Sequence, residues 1–333
     1  MTDTTAPAHL DPSALGTREY WDNLYTTELR NHADNPRDEG TVWFDDSDAE
    51  AKMVAFLEER VDNDDEGLHS RGGGLVLDRD TASVLDLGCG NGSMLFALRD
   101  EGWRGRLLGV DYSVLSVELA RRVGESRREG GAEEEEDDEA GDGDNTGEND
   151  EGNGDRGDHE TETEVEFKVW DVLNGSFSEV TSATTTTTTP SSTSDPPQQP
   201  PIPPQQQQQH QPLPCWHIVL DKGTFDAVSL SGEHDAHGRR VFENYGARVL
   251  HLLRPGGLFL VTSCNWTEAE LRDWFEVKTG VVAVGVPQGQ GEEEEKRFRL
   301  RLAGKVEYPS FRFGGVQGQT ISTLCFEKVR AEV

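Results

Sequence analysis

The sequence predicts an α/β protein, a mostly parallel β-sheet with helices on both faces, closed near its C-terminal end by an antiparallel strand pair. Short β-rich runs alternate with helical patterns, which is the signature of a sheet covered by crossover helices. Four of the five candidate strands have an acidic residue within one position of their last residue, which gathers carboxylates at one end of the sheet. A glycine-rich turn follows the first strand.

Taken in order, the candidate strands are 83 to 87 (SVLDL), 107 to 111 (LLGVD), 165 to 170 (VEFKVW), 216 to 221 (WHIVLD) and 258 to 262 (LFLVT). Between the first two, Met94, Leu95, Ala97 and Leu98 recur at helical spacing, and Ser113 is placed as the N-cap of the helix after the second strand. Toward the C-terminus, "RFRLRL" alternates with period two, and "TISTLCFEKV" is a further β-rich run after the glycines of "FGGVQGQ". These two form the expected antiparallel pair.

Only a third of the 333 residues are hydrophobic, so the folded part is expected to be smaller than the chain. Residues 125 to 164 hold 19 acidic and 3 basic residues, about half of the net charge of −33. Such a segment cannot bury enough apolar surface to offset its chain entropy. Residues 181 to 214 are Thr, Pro and Gln tracts that define no unique core. The expected organisation is a disordered N-terminus over 1–16 and a single domain over 17–333. That domain is interrupted by disordered insertions at about 125–164 and 181–214 and by a smaller loop at about 287–296.

The net charge disfavours nucleic acid as a partner, because phosphates need a basic face. No apolar run reaches the length of about 18 residues that a membrane helix requires, nor is an N-terminal signal segment visible. Cys89, Cys215, Cys264 and Cys325 are far apart and form no CxxC pair, which argues against a disulfide framework or a zinc site. They are expected to be ordinary buried thiols of a monomer in the cytoplasm, with the nucleus as the alternative location.

Chemistry concentrates in "VLDLGCGNG" (84 to 92), where Gly88, Gly90 and Gly92 follow a buried strand and precede a helix. A dinucleotide fingerprint wants a glycine at position 93, which is Ser. Asp86 beside the turn would repel a pyrophosphate but suits a ligand with an ammonium and a sulfonium and no phosphate. S-adenosyl-L-methionine is such a ligand. The second strand ends on Asp111, where a carboxylate can accept ribose hydroxyls, and the third leads to Asp171, placed to accept the adenine amino group.

These segments resemble the seven-stranded, Rossmann-like class I methyltransferases: "VLDLGCGNG", "GVDYS", "VWDV" and "LRPGGLFLVTS" match their motifs in order. A narrower resemblance covers nearly all of the non-repetitive chain. "YWDNLYTTEL", "VWFDD", "LDKGTFDAVSL", "TSCNWTEAEL" and "FRFGGVQGQTISTLCFEK" are similar to the protein-lysine methyltransferases that modify translation elongation factor 1-alpha. The long insertions depart from that pattern. The resemblance implies transfer of a methyl group from S-adenosylmethionine to a lysine amine, with positive charge moving from sulfur to nitrogen.

The expected cofactor set is Asp86, Gly88, Gly90, Asn91, Gly92, Asp111, Tyr112, Ser113, Asp171, Val172, Asp221 and Trp43. Asp221, at the end of the fourth strand, is assigned to the active-site mouth, with contact to cofactor, substrate or the local turn left open. Asn265 and Trp266 are candidates for an amide acceptor and an aromatic wall for the lysine chain, against packing of Trp266 on the following helix. Lys222 reads as a solvated turn lysine, with a carboxylate partner as the alternative. Asp-Lys-Gly-Thr stands where adenine and glutamine N-methyltransferases carry Asn/Asp-Pro-Pro-aromatic, which favours an aliphatic amine acceptor. A small-molecule methyltransferase and a non-catalytic interaction protein are the competing functions.

Overall fold

The computed structural model describes residues 9–65, 75–138, 164–181, 216–287, 293–313 and 316–331. Two N-terminal helices, α1 (Arg18–Asp34) and α2 (Ala49–Asp65), precede the sheet. Then come β1 (Val84–Leu87), α3 (Ser93–Asp100), β2 (Leu107–Asp111), α4 (Val114–Asp138), β3 (Glu166–Val169) and a single turn, α5 (Ser178–Thr181). The second half runs β4 (Trp216–Lys222), α6 (Thr224–Ser229), α7 (Tyr245–Leu252), β5 (Leu253–Ser263) and α8 (Glu268–Arg272), which continues as a π-helical turn over Asp273–Lys278. Last are β6 (Val282–Pro287), β7 (Glu293–Val306), the hairpin β8 (Ser310–Phe313) and β9 (Val316–Gln319), and β10 (Ser322–Arg330).

The main sheet has the order β3-β2-β1-β4-β5-β10-β7-β6. Its first five strands pair in parallel, and β10 and β7 join antiparallel as the sequence predicts. The count is eight rather than seven, because "VAVGVP" pairs with the start of β7 and adds an edge strand. That pairing also shortens the third expected insertion, since 293–296 already belong to β7.

Strand periodicity explains the layers. Leu85, Leu87, Val219, Phe259 and Val261 face one core with Phe225 of α6, the buried face of α7, and Trp274 and Phe275. Their neighbours Val84, Ile218, Leu220, Leu258 and Leu260 face the other core with Met53 and Leu57 of α2, α3, and Val117, Ala120 and Val123 of α4. Alternate side chains of a strand point to opposite faces, so a sheet covered on both sides reads as a continuous apolar run.

Two expected boundaries shift. Part of 1–16 belongs to the fold: Ser13 donates its N–H to the Leu230 carbonyl at 3.1 Å, and Leu10 packs against the first core. Helix α4 carries the chain on to Asp138, past the start expected for the acidic segment. Arg127 of that helix pairs with Glu39 at 2.8 Å and Asp100 at 3.1 Å, which explains why an acid-rich stretch begins as ordered helix. The remainder of the acidic segment and residues 182–214 lie outside the described residues, as does Cys215. Among the described residues no helix is long and apolar enough to cross a membrane.

Candidate active site

The strand order reverses between β1 and β4, and a cleft opens there at the carboxyl ends of the parallel strands, where open α/β sheets bind ligands. All five parallel strands contribute: Gly88 to Asn91 after β1, Asp111 and Tyr112 from β2, Trp170 to Asn174 after β3, Lys222 to Thr224 after β4, and Cys264 and Asn265 after β5. Aromatic lining comes from the N-terminal elements, with Trp21, Tyr25, Trp43 and Phe44.

The glycine turn is shaped by its neighbour. Gly88 has φ +66°, and a Cβ there would lie 2.0 Å from Thr224 Oγ1. Thr224 Oγ1 in turn donates to the Leu87 carbonyl at 2.6 Å, so the turns after β1 and β4 interlock. Only glycine fits this left-handed, crowded position without strain.

Asp111 is buried and accepts from Ser113 N–H at 2.8 Å through Oδ1, and from Ser116 Oγ at 2.8 Å and Gly90 N–H at 3.4 Å through Oδ2. Burial raises its pKa while these donors oppose the rise. An ionised carboxylate offers about four acceptor directions, so Oδ1 retains one and the long Gly90 contact is exchangeable. Asp171 folds the next loop by accepting from Leu173 N–H at 2.8 Å and Asn174 Nδ2 at 3.1 Å. Tyr112 stacks under the Arg18 guanidinium, 4.4 Å from its ring centre. A carboxylate at the β2 end, an aromatic ring beside it and a glycine cradle fit the ribose, adenine and methionine parts of S-adenosylmethionine.

Among the residues expected at the site, Gly88, Gly90, Asn91, Asp111, Tyr112, Asp171, Val172, Trp43 and Asn265 line the cleft. Five others stand elsewhere. Asp221 is fully buried: its carboxylate accepts the Thr224 and Phe225 N–H groups at the start of α6 and the Tyr245 hydroxyl at 2.5 Å. It anchors a helix instead of lining the mouth. Trp266 is 3 % exposed, donates from Nε1 to Ser229 Oγ and packs among Phe225 and Trp274, so it is a core residue and no substrate wall. Ser113 turns away to donate to Asp22 of α1 at 2.7 Å. Gly92 starts α3 against the Phe167 ring. Asp86 lies behind the turn, 3 % exposed.

Two of these residues carry predictions. Trp266→Ala is expected to lower the unfolding free energy by about 3–5 kcal/mol, as truncation of a buried tryptophan does, measured by urea denaturation. Burial is the main cause that pushes the Asp86 pKa up to about 8, with Lys222 opposing and Glu50 and Asp221 adding to the rise. Between the unfolded value near 4 and this folded value, the native state holds a proton that the unfolded chain has lost. The contribution is therefore fully present below pH ~4 and is lost as pH rises through 8. Thermal melts should show Tm falling from pH 6 to 9 in the wild type, and falling less in Asp86→Asn.

The residues that sequence reasoning missed come from two sources. Asp226, one helical turn after the charged break, lines the cleft and accepts from the Ser263 hydroxyl and from Cys264 N–H at 2.8 Å. Cys264, expected to be buried, is exposed and lines the cleft. Trp21 and Tyr25 lie in the "YWDNLYTTEL" segment of the resemblance but were given no role at the site, and Arg18 carries no local signal, because α1 reaches the cleft only through the tertiary fold. Among the described residues no cluster of His, Cys, Asp and Glu could hold a metal ion.

A doubly wound sheet with a glycine cradle and a β2 carboxylate at its switch point defines a methyltransferase of the S-adenosylmethionine-dependent kind, and a family model described as "Methyltransferase domain" matches residues 78–133. The protein-lysine N-methyltransferase EFM4 of Saccharomyces cerevisiae is 32% identical over 96% of this chain and 97% of its own. Its Schizosaccharomyces pombe namesake is 29% identical over 96% and 95%, and EEF1A lysine methyltransferase 2 of Homo sapiens is 26% identical over 96% and 88%. The chain belongs to this family of protein-lysine N-methyltransferases.

Proposed function

We propose that the protein transfers methyl groups from S-adenosylmethionine to a lysine of translation elongation factor 1-alpha. The observation that carries this reading is the cleft into which all five parallel strands deliver their carboxyl ends, lined by Asp111, Asp171 and the glycine turn. The substrate follows from the relatives, whose names specify EEF1A lysine as the acceptor.

Bound in the cleft, S-adenosylmethionine supplies a methyl group activated on a sulfonium. Asp111 would hold the ribose, the Asp171 loop and Tyr112 the adenine, and the Gly88–Gly90 backbone the methionine part. A lysine ammonium has a pKa near 10.4 and must lose a proton before it can attack. The aromatic side of Trp21, Trp43 and Phe44 excludes water, and desolvation lowers the pKa of an amine. Asn265 and the acids Asp226 and Glu233, which also line the cleft, offer acceptors for the incoming cation. Alignment of donor and amine then provides most of the rate, with no strong base required.

Incubation of the protein with labelled S-adenosylmethionine and a translation extract tests the acceptor. Label in a band that mass spectrometry assigns to elongation factor 1-alpha is expected. Label confined to small metabolites would replace this reading with a small-molecule methyltransferase, and no transfer with a binding protein.

A further inference from the structure

We infer that Lys222 is a positioning residue that fastens the Trp43–Phe44 strap to the end of β4 and so sets the aromatic side of the cleft. Its side chain is 12% exposed, which removes it from the class of solvated turn lysines. Nζ lies 3.2 Å from Glu50 Oε1 and donates to the Trp43 carbonyl at 3.2 Å. Glu50 is itself held at the start of α2, where it accepts from Ser93 Oγ of α3 at 2.5 Å. One ammonium therefore ties β4, α2 and the connection between α1 and α2.

The strap has a backbone that needs such a tie. Phe44 (φ 65°, ψ 25°) and Asp48 (φ 55°, ψ 43°) are both left-handed, a conformation that side chains other than glycine keep only when their surroundings over-determine it. The Trp43 carbonyl that Lys222 holds belongs to the peptide bond entering Phe44. The next residue of the β4 turn, Gly223, completes the fit, since a Cβ there would lie 3.3 Å from the Phe44 ring. With the strap in place, the Trp43 ring meets Trp21 at 5.4 Å, and Trp21, Trp43 and Phe44 all face the cleft. Lys222 also lies among buried carboxylates and favours the ionised form of Asp86, so charge balance is the competing role. That role would affect global stability and its pH dependence without loosening the strap.

This inference rests on the reading of the cleft as the methyl-donor site. Its test is hydrogen exchange by mass spectrometry on residues 41–49 of the full chain, paired with titration calorimetry of S-adenosylmethionine. In Lys222→Met, the amides of Ser47, Asp48 and Ala49, which bond back to Phe44 and Asp45, should exchange about tenfold faster through local opening. The donor dissociation constant should rise by about tenfold, as when a pre-organised site is loosened, and Lys222→Arg should restore part of both. If Lys222→Met fails to fold, Glu50→Gln removes the ion pair alone and should give a smaller acceleration confined to the same amides. Exchange within twofold of wild type in these variants, whatever the change in Tm, would overturn the inference. A wild-type protein that binds no donor would instead overturn the functional reading and leave the exchange result standing.

Discussion

Asp111→Ala is expected to weaken S-adenosylmethionine binding by a hundredfold or more while leaving the sheet folded. A hydrogen bond to a charged group contributes about 1.5–3 kcal/mol, and each 1.4 kcal/mol is tenfold in affinity. The lost ribose contact accounts for about one factor of ten or more on that scale. The remainder comes from Ser113 N–H, Ser116 Oγ and Gly90 N–H, which lose the acceptor that holds the turns of β1 and β2 in register. Titration calorimetry on wild type and variant, with far-ultraviolet circular dichroism as the folding control, checks this. Because burial raises the Asp111 pKa, the wild type loses this group's contribution as pH rises above the unfolded value near 4, and the alanine variant should lack that part of the pH dependence.

Gly88→Ala is expected to destabilise the protein by about 2–4 kcal/mol and to abolish donor binding, since a Cβ must displace Thr224 while the backbone stays left-handed. The clash is specific: 2.0 Å to Thr224 Oγ1 and 3.1 Å to its Cβ, with the hydroxyl tied to the Leu87 carbonyl. Residues in contact couple non-additively. Adding Thr224→Ala should therefore cost less in the Gly88→Ala background than in the wild type. Denaturant unfolding of the four proteins in the cycle reads this directly, and additive losses would show that the two turns do not interlock.

The parallel half of the sheet was legible because buried strands are continuous apolar runs ending in polar turns: Val84–Leu87, Leu107–Asp111 and Trp216–Lys222 all fall where periodicity places them. The antiparallel edge was less so. Strand β7 opens on acidic residues, so its first four positions read as loop until their pairing with "VAVGVP" is seen. At the site, residues that follow a strand end in sequence were found, because chain order alone delivers Asp111 and Asp171 to the cleft. Asp221 was given to the mouth with the local turn as one alternative, and the turn is what the structure shows: Thr224 begins a helix whose first N–H groups capture the Asp221 carboxylate. The position facing the cleft is Asp226, one turn further on. Trp266 was open between wall and core, and its contacts with Phe225 and Trp274 resolve it as core. The aromatic residues from α1 and the strap were marked only by Trp43 and by the "YWDNLYTTEL" and "VWFDD" segments of the resemblance, since contacts spanning such sequence separations leave no local pattern.

The central claim is that this cleft places a methyl donor against a protein lysine. It is tested most directly by incubating the purified protein with S-adenosylmethionine and purified, unmethylated elongation factor 1-alpha, followed by intact-mass and peptide mass spectrometry. The account predicts methylation at a lysine of the factor with the wild type and none with Asp111→Ala. An unmodified factor with a wild-type protein shown to bind the donor, or equal methylation by both proteins, would contradict it.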